Sequence, residues 1–116
     1  MSEVSQLEAQ LAAGIEAKAK REIALKLYHN PEFKKLILQE FCTEECARYA
    51  QASADPALTA EQRADALNMA QAAGHLRRFL SVVVTKGNQA ERLEEELEQS
   101  ILEARQEADN PEVDAE

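Results

Sequence analysis

The 116-residue sequence has no tryptophan, three glycines, three prolines and only five large aromatic residues. β-Branched residues are scarce outside 82–85, so there is little material for a β-sheet. No segment approaches the roughly 18 uninterrupted apolar residues that a membrane-spanning helix needs. The N-terminus lacks a basic start followed by an apolar run, so we expect no signal peptide. These absences favour an all-α, cytoplasmic protein that does not associate with membranes.

The abundant residues favour helices. Alanine, glutamate, glutamine, leucine and the basic residues dominate the chain, and these have the highest helix propensities. Apolar positions recur at steps of three and four, and this spacing predicts helices at about 3–28, 31–54, 60–86 and 89–108. We predict a single helical domain over 1–108 and an acidic disordered tail over 109–116.

The helix ends carry recognisable capping residues. Ser2 is the predicted N-cap of the first helix, and Asn30 followed by Pro31 is predicted to open the second. Thr59 and Gln62 have the spacing of a capping box for the third helix. The connection between the second and third helices is short, which favours antiparallel neighbours. The predicted fold is therefore an all-α antiparallel hairpin of two long helices, with an N-terminal helix packed against it.

The predicted C-terminal helix is acidic and coiled-coil-like, and it extends the hairpin. Gly87 leaves two alternatives open. The third helix either ends there, with Asn88 capping a new helix, or runs through, because the apolar rhythm continues to Ala104; the second is slightly favoured. Gly74 lies inside the third helix, where glycine costs about 1 kcal/mol relative to alanine, so we expect it to pack closely against a neighbour.

An alanine-rich, aromatic-poor chain buries little apolar area in each helix. We therefore predict that the helices complete their burial against a second copy, which makes the protein a homo-oligomer. The residues predicted to form the core and the self-association surface are Phe33, Ile37, Phe41, Tyr49, Leu67, Leu76, Leu80 and Val83.

Charge is concentrated at the C-terminal end. Residues 88–116 hold eleven acidic and two basic residues, whereas the rest of the chain holds eleven of each. The acidic helix has two interpretations: a solvated surface, or a recognition helix for a basic partner. The candidate residues of the recognition helix are Glu94, Leu97, Glu98 and Ile101. Residues 1–87 carry no net charge, which argues against DNA mimicry. The chain also has no excess of basic residues, so we expect no nucleic-acid binding.

The two cysteines, Cys42 and Cys46, share one face of a helix, so a disulfide linking distant segments is excluded. A zinc site would need more ligands than the chain places near them. A thiol-dependent enzyme with His75 as the base would need an activating environment, and the sequence shows no strained loop beside either cysteine. We expect Cys42 and Cys46 to be small core residues, and we expect no metal, no cofactor and no catalytic residue in the chain.

Four basic residues on the third helix form a candidate anion site. Such a group can hold a phosphate or carboxylates of a partner, although basic residues within one turn more often form a solvated surface. The residues are His75, Arg77, Arg78 and Lys86.

Two strings, NPEFKKLI at 30–37 and LRRFLSVVVTKGNQAERLEEELE at 76–98, resemble a known family. With the Asp-Pro turn between them, the pattern over 22–105 is similar to small all-helical proteins of tailed bacteriophages encoded among virion and head-morphogenesis genes. The resemblance implies a non-enzymatic role in virion structure or assembly, with other virion or assembly proteins as partners, in the host-cell cytoplasm or the virion. FCTEEC at 41–46 departs from this pattern, which would have a more apolar or aromatic turn and no thiols. The alternative function is a small phage protein that captures a host factor or a nucleotide-like anion.

Overall fold

The computed structural model of the protein describes residues 2–109. Within this range every residue is helical except Ser2, Asn30 and the turn at 53–59, and there is no strand. The all-α prediction is confirmed. The predicted tail lies outside the described residues from position 110 onward, and Asp109 ends the last helix. No helix in the described range is long and apolar enough to cross a membrane.

The first helix, α1, spans Glu3–His29. Ser2 caps it as predicted, because its Oγ accepts a hydrogen bond from the backbone N–H of Ser5 at 3.1 Å. This satisfies one of the donors that the first turn of a helix leaves unpaired. Asn30 then separates α1 from the next helical segment. Its Oδ1 accepts hydrogen bonds from the backbone N–H groups of Glu32 and Phe33, at 2.9 and 3.0 Å.

The chain is helical from Pro31 to Ala52 in three consecutive segments. These are α2 (Pro31–Phe33), a π-helix, π1 (Lys34–Glu45), and α3 (Cys46–Ala52). The sequence predicts one ordinary α-helix ending near residue 54. Apolar spacing does not reveal the wider turn, since π-helices are rare and usually a single turn long.

One backbone hydrogen bond marks the five-residue step of π1: the N–H of Cys46 donates to the carbonyl oxygen of Phe41. The Thr43 hydroxyl donates to the carbonyl oxygen of Leu38, also five residues earlier, at 2.9 Å. A threonine side chain that binds a carbonyl of its own helix competes with the backbone ladder, which accounts for part of this irregular segment.

The last helix, α4, spans Ala60–Asp109 without interruption. The predicted capping box is present: the backbone N–H of Gln62 donates to Thr59 Oγ1 at 3.1 Å, and the backbone N–H of Thr59 donates to Gln62 Oε1 at 3.0 Å. Of the two alternatives at Gly87, the structure has the continuous helix, so the predicted boundary between 86 and 89 is absent. Gly87 has no positive φ, and a glycine without it does not end a helix in the usual way.

The described residues form two compact units. The central unit comprises residues 23–82, and the terminal unit comprises 2–22 together with 83–109. The two units also differ in net charge. The central unit holds seven basic and seven acidic residues, whereas the terminal unit holds six basic and twelve acidic residues.

In the central unit, π1 and α3 lie beside the first half of α4. Cys42 Sγ lies 3.9 Å from the carbonyl oxygen of Ala73, and Cys46 Sγ lies 3.5 Å from that of Ala70. From Cys42 to Cys46 the contacting residue on α4 moves back from Ala73 to Ala70. The two segments therefore run in opposite directions along this contact. The alanines of α4 permit this close approach because they place little side chain between the two backbones.

In the terminal unit, residues 2–22 of α1 lie beside the second half of α4. Three ion pairs order the contact, again with numbers that run in opposite directions: Glu8 with Arg105 at 2.5 Å, Lys18 with Glu94 at 2.6 Å and Arg21 with Glu91 at 2.9 Å. The sequence interpretation placed the N-terminal helix against the hairpin at 31–86. Most of α1 instead lies beside 83–109, because the basic second half of α1 meets the acidic residues of α4.

The buried apolar residues are few and small. Across both units they are Ala24, Cys42, Ala66, Ala73, Leu80, Ile101 and Ala104. Four of the seven are alanine, and burying a large apolar side chain contributes about 1.5–3 kcal/mol, considerably more than an alanine. The expectation of a thin core therefore holds for the described residues.

The predicted packing of Gly74 is wrong. A Cβ added at Gly74 would meet nothing within 4 Å, whereas one added at Gly87 would lie 2.3 Å from Arg21 Cβ. The neighbouring helix thus leaves no room for a Cβ at Gly87, in the terminal unit, and leaves room for one at Gly74. Apolar spacing along α4 could not distinguish these two glycines.

Candidate functional site

The residues predicted to form the core and the self-association surface lie at different depths. Leu80 is buried, and Leu76 and Val83 are half-buried. The aromatic and aliphatic positions of the second helical segment, Phe33, Ile37, Phe41 and Tyr49, are all half-buried as well. Leu67 is 47 % exposed. Val83 belongs to the terminal unit, and the other seven belong to the central unit.

A strip of uncharged residues lies open on the central unit. Met69, Ala72, Leu76 and Phe79 follow one another at steps of three and four, so their side chains share one side of α4. Phe79 is 64 % exposed and Met69 is 40 % exposed. We call these four residues the α4 strip. Sequence reasoning found Leu76 but missed Phe79, which could have been recognised from its place in the same three-and-four spacing.

The strip continues into a shallow pocket of the central unit. The pocket has a volume of about 290 Å³, and its lining includes Met69, Ala66, Leu58 and Tyr49. The guanidinium of Arg48 stands 5.3 Å from the centroid of the Tyr49 ring. Such a cation–π contact holds the aromatic side chain in place at the edge of the pocket.

The two cysteines are small packing residues in the central unit. Cys42 is buried, Cys46 is half-buried, and neither forms a disulfide. Each thiol faces a carbonyl oxygen of α4, which accepts from the weak S–H donor. Within residues 2–109, no group of three or more His, Cys, Asp or Glu side chains is placed to hold a metal ion.

The four basic residues of the candidate anion site are all exposed on α4. His75, Arg77 and Arg78 are exposed on the central unit, whereas Lys86 belongs to the terminal unit. Arg77 Nη2 donates to Thr43 Oγ1 at 3.0 Å. Arg77 thus contacts the irregular turn of π1, and His75, Arg78 and Lys86 are exposed without such a contact to π1.

The four candidate residues of the acidic helix differ in exposure, and one of them is paired with α1. Ile101 is buried, Leu97 is half-buried, and the Glu94 carboxylate pairs with Lys18 Nζ at 2.6 Å. Glu98 is exposed. The acidic helix therefore forms an ion pair with α1 of the same chain. The basic residues in the second half of α1 are the sequence signal for this pairing.

Arg21 is the one buried charged residue of the described chain, 8 % exposed. Its guanidinium donates to the carboxylates of Glu22 and Glu91, both at 2.9 Å, and to Asn88 Oδ1 at 3.1 Å. A buried charge is tolerated when it is paired and hydrogen-bonded in this way. Gly87 provides the space, since any side chain there would overlap Arg21.

The ion pairs of the terminal unit shift the pKa values of their members. The hydrogen bond from Arg21 lowers the pKa of Glu91 below its ordinary value of 4.5. The hydrogen bond to Glu94 raises the pKa of Lys18 above its ordinary value of 10.5. Both changes favour the charged forms, so the pairs remain ionised across the physiological pH range.

The terminal unit also carries an apolar groove between its two helices, which we call the terminal groove. It has a volume of about 290 Å³. Its apolar lining is formed by Leu11, Ala13, Gly14, Ala90, Leu93 and Leu97. Its polar edges are formed by Gln10, Lys86, Gln89 and Glu94. Leu93 is 51 % exposed there.

Comparison of the chain with protein-family models, curated proteins and solved structures found no significant match. The two open surfaces, the α4 strip and the terminal groove, are therefore the candidate functional sites.

Proposed function

We propose that this chain is a non-enzymatic structural or assembly protein of a tailed bacteriophage, acting through helix-mediated self-association and partner binding. In this proposal, π1 and α3 form an antiparallel hairpin with the first half of α4, and the acidic half of α4 pairs in a coiled-coil-like manner. The opposed numbering of the contacts in each unit supports both statements. The place of action in this proposal is the host-cell cytoplasm or the virion.

The observation that carries the proposal is the α4 strip. Exposed apolar side chains that stand singly are ordinary on a protein surface, whereas a contiguous apolar patch marks an interaction site. Met69, Ala72, Leu76 and Phe79 are contiguous and uncharged. A second copy that places its own strip here forms a two-fold interface, in which every contact occurs twice.

Charge and core size favour a second copy at this position. The central unit has no net charge, so two central units approach without the repulsion that like-charged surfaces experience. Among the described residues, Leu80 is the only large aliphatic side chain buried in this unit. Association adds the apolar burial that the isolated helices lack.

Sedimentation equilibrium with two matched variants tests the proposal. Phe79→Asp places a charge in the strip, and Ser81→Asp adds the same charge at an exposed position on another side of α4. Burying a phenylalanine contributes about 1.5–3 kcal/mol, so its loss from both copies should weaken a dimer by more than about a hundredfold. Ser81→Asp should leave association unchanged. Equal effects of the two variants, or no effect of Phe79→Asp, would contradict the proposed interface.

The alternative proposal is a small phage protein that captures a host factor or a nucleotide-like anion. It is favoured by one observation: no ion pair of the described residues includes His75 or Arg78, and both are exposed. A thermal-shift panel of nucleotides checks it, since a ligand that binds only the folded protein raises the melting temperature. Unchanged melting with every anion would end this alternative.

A further inference from the structure

We propose that the terminal groove binds an amphipathic helix of another protein, with apolar residues on one face and lysine or arginine along its edges. The inference rests on the proposed partner-binding role and gives that partner its chemistry. It concerns the terminal unit, so its test is separate from that of the α4 strip in the central unit.

The shape of the groove fits a helix. A Cβ added at Gly14 would lie 3.5 Å from Ala90 Cβ, so the two helices approach closely and the floor consists of small residues. Leu11 and Leu97 stand half-buried beside this floor, and Leu93 is 51 % exposed. An apolar groove with small floor residues and leucine walls receives the apolar face of an amphipathic helix.

The charge around the groove specifies a basic occupant. The terminal unit holds twelve acidic and six basic residues. Lys18, Lys20, Arg21 and Arg105 are already paired with carboxylates inside the unit. The surplus charge that remains is therefore acidic.

Part of that surplus lies beside Leu93. Glu96, Glu103 and Glu107 are spaced from Leu93 and from one another at multiples of three to four residues, so they follow the same side of α4. All three are exposed. Lys86 lines the opposite end of the groove, so the basic residues of the occupant should lie toward Leu93 and Leu97.

The same charge argues against occupants from this protein. A second terminal unit would add another six net negative charges to the first. Residues 110–116 hold three acidic residues and no basic one. Either would meet electrostatic repulsion at the groove, whereas a helix edged with lysine or arginine would be attracted.

A synthetic helix with leucine on one face and lysine on the other is the probe. Labelled with a fluorophore and titrated with the full-length protein at low ionic strength, it should bind, and its twin with glutamate in place of lysine should not. Leu93→Lys should weaken binding at least about tenfold, because it removes an apolar wall and adds a like charge. Leu102→Lys is the matched control: Leu102 is 54 % exposed on α4 and does not line the groove. It should change affinity less than about twofold, since an exposed charge in water interacts weakly at a distance.

A second variant keeps the test decisive if Leu93→Lys loses helix content. Glu96→Gln combined with Glu103→Gln removes two exposed charges, and it should weaken binding and flatten its dependence on salt. Equal weakening by Leu93→Lys and Leu102→Lys would overturn the proposal, because attraction would then come from the acidic surface in general. Equal binding of the glutamate twin would also overturn it. Dissociation of the oligomer by Leu93→Lys would assign the groove to a second copy, again against the proposal.

Discussion

The three glycines of the chain all lie inside helices, and the structure predicts that the same substitution at each will have different effects. Replacing a helical glycine with alanine ordinarily stabilises a protein by about 0.5–1 kcal/mol, because the unfolded chain loses freedom and the helix gains propensity. At Gly74, a new Cβ meets nothing within 4 Å. Gly74→Ala should therefore show the full gain.

Gly87→Ala should instead destabilise the protein. Its Cβ would lie 2.3 Å from Arg21 Cβ and 2.8 Å from Arg21 Cδ. The nearest of these atoms is fixed close to the α1 backbone, so the helices must move apart. Overpacking of this kind costs about 1–3 kcal/mol, which exceeds the propensity gain and also disturbs the hydrogen bonds of a buried guanidinium.

Gly14→Ala is the intermediate case and a control within the same unit. Its Cβ would stand 3.5 Å from Ala90 Cβ, an ordinary van der Waals contact. It should therefore stabilise the protein nearly as much as Gly74→Ala.

Thermal unfolding followed by circular dichroism measures this series. A change of 1 kcal/mol shifts the melting temperature by about 4–8 °C for a domain of this size. We expect Gly74→Ala and Gly14→Ala to melt higher than the parent and Gly87→Ala to melt lower. If Gly87→Ala melts higher, Arg21 does not lie against residue 87, and α1 does not pair with the second half of α4 in the way that the ion pairs indicate.

The remaining predictions concern individual contacts. Pairing with Arg21 lowers the pKa of Glu91, so this pair contributes stability above about pH 4.5 that is lost as the pH falls through the lowered pKa of the folded protein. Glu91→Gln should remove this part of the acid sensitivity, which melting temperatures measured over a pH series would show. Thr59→Ala removes the capping oxygen of α4 and should cost about 1 kcal/mol in denaturant unfolding. Leu80→Ala should cost about 2–5 kcal/mol, because Leu80 is 6 % exposed; a cost below about 0.5 kcal/mol would place Leu80 at the surface.

Local sequence signals predicted the helix starts well. Ser2, Asn30 and Thr59 each form the hydrogen bonds expected of them, because capping depends on residues a few positions apart. The choice of helix neighbours depends on distant residues and was harder to predict. Periodicity along α4 continues through Gly87, and it does not say which helix lies beside each half.

The pairing of α1 with the acidic half of α4 was nevertheless present in the charge pattern. The bases at 18–26 and the acids beyond 90 are both evident in the sequence, where the acidic helix predicts either a solvated surface or a recognition helix for a basic partner. Lys18 and Arg21 of α1 pair with Glu94 and Glu91 of this helix. Opposite charges in one chain find each other at a far higher effective concentration than those of a separate partner.

The π-helical segment could not be predicted from apolar spacing. In this segment the Thr43 hydroxyl donates to the carbonyl oxygen of Leu38, five residues earlier, and Arg77 of α4 donates to the same hydroxyl. One threonine thus links the irregular turn to the neighbouring helix. This contact between distant residues has no counterpart in a local sequence pattern.

Self-association is the central claim, and the mass of the protein in solution tests it most directly. Sedimentation equilibrium over a wide range of concentration should give a mass that is a multiple of the 12.9 kDa chain and that falls toward 12.9 kDa on dilution. A mass of 12.9 kDa at every concentration would contradict the account.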